Sequence, residues 1–82
     1  MDKHILLNNL DRIHTTEMGV DRIKKNLSLN DDADVLDLCR KMISDDNAVI
    51  GRQGKNWYVR IDGCVLTVNA NSYTIITAHR EK

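Results

Sequence analysis

The side chains best suited to chemistry gather in the last third of the chain. Lys55, Arg60 and Arg80 can neutralise an anion, Tyr58 and Tyr73 offer rings and hydroxyls, Thr67, Asn69 and Thr77 offer neutral donors and acceptors, and His79 offers an imidazole. Cleavage of RNA without metal needs a base for the 2′-hydroxyl, an acid for the leaving oxygen and cations around the phosphate. An imidazole changes charge near neutrality and can serve as base or acid. His79 is therefore the catalytic candidate, with Thr77 and Tyr73 beside it. Arg60 can grip a phosphate through paired hydrogen bonds. Lys55, Asn69 and Arg80 complete a nucleic-acid-binding set, and Tyr58 or Tyr73 can stack on a base. An ordinary solvated strand would carry the same residue types.

Other chemistries fit less well. His4, His14, Cys39, Cys64 and His79 are scattered without the paired spacing of a zinc site, so no metal and no cofactor is expected. Gly54-Lys55 lacks the rest of a phosphate loop. No Ser-His-Asp or Cys-His spacing stands out. A helix-turn-helix reader fails on charge, because its recognition helix would open with Asp31, Asp32, Asp34 and Asp37 against phosphates.

The chain has 82 residues, which predicts a single α+β domain over 1–82 with one core. With no Phe and one Trp, that core must be filled mostly by Ile, Leu and Val. Cys39 and Cys64 each sit in an apolar run and form no CxxC pair, which predicts two free, buried thiols in a reducing compartment and a cytoplasmic location. The N-terminal residues are not expected to act as a signal peptide, and no stretch approaches the roughly 20 apolar residues of a membrane span. Net charge is zero but uneven. Met1 to Asp46 carries −3, and Asn47 to Lys82 carries +3. Such asymmetry can mark a face that meets an anion, or simply a polarised surface.

Periodicity supplies the elements that must position these residues. Leu6, Leu10 and Ile13 predict a helix from about Asp2 to Arg12, capped by Asp2. Thr16 should cap a second helix, with Val20, Ile23 and Leu27 as its stripe. A third follows the candidate caps Asn30, Asp31 and Asp32, with Val35, Leu38, Cys39, Met42 and Ile43 on one face. The period then becomes two. Ala48-Val49-Ile50 reads as a short strand ending at Gly51, and Asn56 to Ile61 as the second. Asp62-Gly63 is a two-residue hairpin turn, and it pairs Ile61 with Cys64, Val59 with Leu66 and Trp57 with Val68. That face should be buried against Ile23, Leu38 and Met42. Tyr58 opposite Thr67 and Arg60 opposite Val65 fall on the other face. The expected fold is three N-terminal helices packed on one face of a four-stranded antiparallel sheet.

The last strand, Tyr73 to His79, leaves two registers open. A two-residue turn at Asn71-Ser72 puts Ile75 opposite Val68, with Thr77 and His79 on the core side. A three-residue loop buries Thr74, Ile76 and Ala78 and turns Tyr73, Thr77 and His79 outward, beside Thr67 and Asn69.

The segment Gly-Lys-Asn-Trp-Tyr-Val-Arg from Gly54, the run Thr-Val-Asn-Ala-Asn-Ser-Tyr-Thr-Ile-Ile-Thr-Ala-His ending at His79, His14-Thr15-Thr16-Glu17, and Arg22 to Leu27 together resemble a small bacterial family known only as a domain of unknown function. More distantly, helices followed by an antiparallel sheet ending in Thr-Ala-His is similar to the barnase, EndoU, colicin and RelE-like ribonuclease superfamily. That likeness implies metal-independent chemistry on RNA, or a non-catalytic relative. Two function classes follow. One is a nucleic-acid-directed domain. The other is a small protein-binding module, such as an inhibitor carried by a mobile element, with the acidic helical half as its contact surface. Neither class requires a membrane, and the sequence leaves the oligomeric state open.

Overall fold

The computed structural model describes residues 3–81, so Asp2 as a cap and the charge of Lys82 lie outside the described residues. In chain order come α1 (His4–Leu7), a 3-10 turn (Leu10–Arg12), α2 (Glu17–Asn26), α3 (Val35–Ser44), β1 (Val49–Gln53), β2 (Asn56–Ile61), β3 (Cys64–Asn69) and β4 (Ile75–Arg80). The four strands form one antiparallel sheet in the order β1-β2-β3-β4.

The first helix is far shorter than its periodicity predicts. The Asn9 side chain donates to the Ile5 carbonyl at 2.7 Å, and Asn9 itself leaves helical geometry. A side chain that competes for a helical carbonyl favours an end there. Leu6 and Ile13 are still buried on either side of the break. In α2 the Gly19 N–H donates to Thr16 Oγ1 at 3.0 Å, so the cap falls where the sequence places it. In α3 the cap is Asp34, past the Asn30 to Asp32 cluster, and it accepts from the Asp37 N–H at 3.0 Å.

The sheet is laid out by its turns. Asp62 and Gly63 both have positive φ, and β2 meets β3 in the expected register: Ile61 with Cys64, Val59 with Leu66, Trp57 with Val68. The expected fork at the last strand resolves into both branches. Val68 pairs with Ile75, as a two-residue turn requires, yet Thr67 pairs with Thr77. A β-bulge absorbs the extra residue Ile76. Ile75 and Ala78 are buried, and Thr77 and His79 fall on the side of Thr67 and Val65.

The arrangement of three helices on one face holds only in part. α2 lies along β4, the last strand of the sheet, while α3 touches α2 and β2. The apolar side chains of these segments join Trp57, Val59, Ile61, Leu66, Val68, Ile75 and Ala78 in one cluster. Leu36, not Leu38, joins Met42 at its margin. Trp57 is buried, as its strand phase requires, although its Nε1–H has no partner among the described residues. The Arg52 guanidinium lies over the indole, 5.4 Å from its centroid. Cys39 is buried, but Cys64, at the start of β3, is only half-buried, which corrects the expectation of two buried thiols. Burial pushes the Cys39 thiol up from 9.0 to about 11, against a smaller opposing pull from Arg40.

Two measurements check this packing. Thr15 Oγ1 donates to the Ile75 carbonyl of β4 at 3.0 Å, and a Cβ on Gly19 would stand 2.2 Å from that oxygen. Helix propensity alone predicts that Gly19→Ala stabilises by about 1 kcal/mol. Here Thr15 must rotate and release the Ile75 carbonyl, so a net loss of about 1 kcal/mol is expected in urea unfolding. In a Thr15→Ala background the same change should be neutral or stabilising. Thiol labelling at pH 8 should modify Cys64 in the native protein and Cys39 only after unfolding. Because folding raises the Cys39 value, its stabilising contribution is intact below pH 9.0 and is lost as pH rises towards about 11.

Candidate nucleic-acid interface

Alternation along the strands gives the sheet a second face that carries none of the core cluster. Three rows cross it. Val49, Arg60, Val65 and His79 form one, Gly51, Tyr58, Thr67 and Thr77 the next, and Gln53, Asn56 and Asn69 the third. Adjacent strands stand about 4.8 Å apart, so Arg60 and His79 flank Val65 with roughly 10 Å between their backbones. Val65 is only 6% exposed, though it lies outside the core cluster.

The structure therefore brings together Tyr58, Arg60, Thr67, Thr77 and His79, with Lys55 in the β1–β2 turn at one end. Arg60 is engaged: its Nε donates to Glu81 Oε1 at 3.0 Å, in an exposed pair. Other candidates are drawn elsewhere. Tyr73, which the three-residue register would turn outward, is buried in the core with φ +58. Its N–H donates to the Asn69 carbonyl, and the Arg12 guanidinium covers its ring at 4.7 Å. Arg80 pairs with Cys64 on the other side of the sheet and donates to the Leu27 carbonyl at the end of α2, at 3.1 Å. There it satisfies a helix C-terminus. Asn69 ends the third row, but its Oδ1 accepts from the N–H groups of Asn71 and Ser72, both at 2.9 Å, and from Ser72 Oγ. That carboxamide oxygen holds a turn.

The charge asymmetry does not become a basic face. Arg52 covers Trp57, Arg80 closes α2 and Arg60 meets Glu81, which leaves Lys55 and Arg60 as the described cations of this half beside the second face. No group of His, Cys, Asp and Glu with metal-binding geometry occurs among the described residues. No helix among the described residues is long and apolar enough to cross a membrane.

One constellation escaped the sequence reading. His14 and Thr74 form a parallel bridge, and His14 Nε2 lies 3.0 Å from Thr74 Oγ1. Thr74 Oγ1 in turn lies 2.8 Å from Ser72 Oγ, which reaches Asn69. The Arg12 carbonyl lies 2.8 Å from Nδ1, so that nitrogen carries the hydrogen and the ring is oriented. The chain of bonds cross-links the N-terminal segment to the β3–β4 loop. Its sequence signal was the presence of His14 and of Ser72 to Thr74 in segments that resemble one family.

The chain was compared with known proteins. A family model described as "Protein of unknown function (DUF3781)" matches residues 7–79. No curated protein and no solved structure matches the chain.

These placements separate a residue that holds the loop from one held only by an exposed ion pair. Asn69→Ala should lower stability by about 1 kcal/mol in urea unfolding, because two N–H groups of an exposed turn lose the acceptor that orders them. Arg60→Ala breaks only an exposed ion pair and should stay within about 0.5 kcal/mol of the parent.

Proposed function

The chain belongs to the family of unknown function whose model spans it, and we propose that it is a nucleic-acid-directed binding module that takes single-stranded RNA on the sheet face of Tyr58, Arg60, Thr77 and His79. The observation that carries this reading is the bulge at Ile76, which sets Thr77 and His79 on the same face as Tyr58, Thr67 and Arg60. A half-exposed ring on a sheet face is a platform for a base. Arg60 can exchange Glu81 for a phosphate, since an exposed ion pair contributes about 0–1 kcal/mol and a phosphate accepts two hydrogen bonds from one guanidinium. His79 ends the row of Arg60, and the row of Tyr58 continues through the buried Thr67 to Thr77.

Binding is favoured over cleavage. Tyr73, one of the three groups assigned to catalysis, is withdrawn into the core, and His79 and Thr77 remain. The second reading, a protein-binding module, draws support from exposed apolar side chains away from this face, chiefly Met18 on α2.

With Lys55, Arg60 and at most His79 meeting phosphates, salt dependence should be shallow. The slope of log K against log[salt] should be about −1.4 to −2.1 for two or three contacts on a single strand. In fluorescence anisotropy with short RNAs, Tyr58→Ala should weaken binding roughly tenfold by loss of stacking. Arg60→Ala should flatten the slope by about 0.7. Arg80→Gln should leave affinity unchanged. Incubation with mixed RNA and a chelator tests cleavage: RNA cut by the parent and spared by His79→Ala would make this an enzyme. No binding at tens of micromolar protein and low salt would end the nucleic-acid reading and leave the protein-binding module.

A further inference from the structure

The two edges of the sheet are treated differently. Along β4, the Ile75 N–H donates to the His14 carbonyl, Thr15 Oγ1 donates to the Ile75 carbonyl, and Asn26 Nδ2 donates to the Ala78 carbonyl. That edge is covered. β1 is the other edge, and among the described residues no backbone hydrogen bond reaches it from outside the β1–β2 ladder. Its protections are few. It has no Pro and no Lys, its one charge, Arg52, lies over Trp57, and Val49 is 65% exposed. Natural sheets seldom leave such an edge bare unless something pairs with it.

Gly51, at the centre of β1, gives the edge a specific use. The sequence suggests that the strand ends there, but it continues through Gly51 to Gln53. Nothing among the described residues asks for a glycine there. Gly51 is not among the glycines with positive φ, and a Cβ built on it meets nothing within 4 Å. Glycine weakens a strand interior and often marks the close approach of another backbone.

Register says which backbone. The two-residue turn Gly54-Lys55 closes on the pair Gln53–Asn56, and alternation then points the N–H and C=O of Ile50 and Arg52 away from β2. An antiparallel copy of β1 centred on Gly51 sets Ile50 opposite the second copy's Arg52, twice over. That makes four hydrogen bonds about a two-fold axis. Gly51 meets its own counterpart at the site between them, where backbones come within about 4.5 Å. Charge agrees with this direction. The turn before β1 carries Asp45 and Asp46, and the turn after it carries Lys55, so an antiparallel copy brings each acidic end to a basic one.

We propose that β1 is the dyad strand of a homodimer, in which two copies pair antiparallel about Gly51 into one eight-stranded sheet. The two faces bearing Tyr58 then become a single surface, with their Tyr58 strands about 14 Å apart. The dimer does not depend on the RNA reading.

Sedimentation equilibrium of the full chain from about 1 to 500 µM tests this. The parent should dimerise over that range. Gly51→Lys has room for its side chain in the monomer, so circular dichroism should be unchanged, while two like charges meet on the axis and the dimer Kd rises about tenfold or more. Gly51→Glu should behave alike, and an equimolar mixture of the two variants should recover the dimer as a heterodimer. A parent that stays monomeric at 500 µM overturns the proposal, as does a Gly51→Lys protein that dimerises as tightly as the parent. RNA affinity is read separately, so a monomer that binds RNA, or a dimer that binds none, shows which proposal has failed.

Discussion

Opposite Thr67 and Val68, β4 places three residues, Ile75, Ile76 and Thr77, where two would pair. The extra residue lets one strand satisfy two demands that a regular ladder sets against each other. Ile75 enters the core beside Val68, and two residues later Thr77 has changed sides, so that Ala78 takes the buried place and His79 the open one. The loop before the strand is built to deliver this offset. Asn69 gathers the N–H groups of Asn71 and Ser72, and Tyr73 turns through φ +58, a conformation that disfavours a bulky side chain. Burial of its ring, the Arg12 guanidinium above it and backbone bonds to Asn69 and His14 hold it there. Without those restraints β4 would pair in one regular register or the other, and the second face would lose either its hydroxyl and imidazole or the core would lose Ile75.

How far this could be read from sequence differs from element to element. The Asp62-Gly63 hairpin was legible because two local signals agree: a turn that wants positive φ, and apolar residues that fall opposite one another. The cap at Thr16 was legible for the same reason. The bulge was not, because alternation before it supports one register and alternation after it supports the other. Each half of the pattern was right. The N-terminal helix misled because Leu6, Leu10 and Ile13 are all apolar for the core's sake, whereas the break depends on the Asn9 carboxamide finding the Ile5 carbonyl. Gly51 looked like a stop because glycine usually punctuates, and only the register shows that it lies within the strand.

The candidate site was legible by residue type and less so by role. Of the site residues, Tyr58, Arg60, Thr77 and His79 share a face because period two and one bulge put them there. Asn69, Tyr73 and Arg80 carry the same chemical groups but are occupied by the fold: a turn, a strained loop and the end of α2. A charge count over half a chain cannot make that separation. The +3 of the C-terminal half is a sum over side chains that leave the sheet in different directions.

The burial of Val65 says something about the face that remains. It sits mid-row between Arg60 and His79, outside the core cluster, yet is nearly sealed from water. Arg60 is also tethered at its Nε to Glu81, just beyond the end of β4, and the line from β2 to that point crosses the row of Val65. That bond directs the Arg60 side chain toward the β4 end of its row. One donor of the guanidinium, Nε, is held by the Glu81 carboxylate. A phosphate, under the RNA reading proposed above, would have to displace that carboxylate from an exposed ion pair. Lys55, on a turn with an exposed side chain, has no such preset direction. Of the two cations beside the face, Arg60 has a direction set by the fold, so only it could give the proposed phosphate contact an orientation, whereas Lys55 could add only charge.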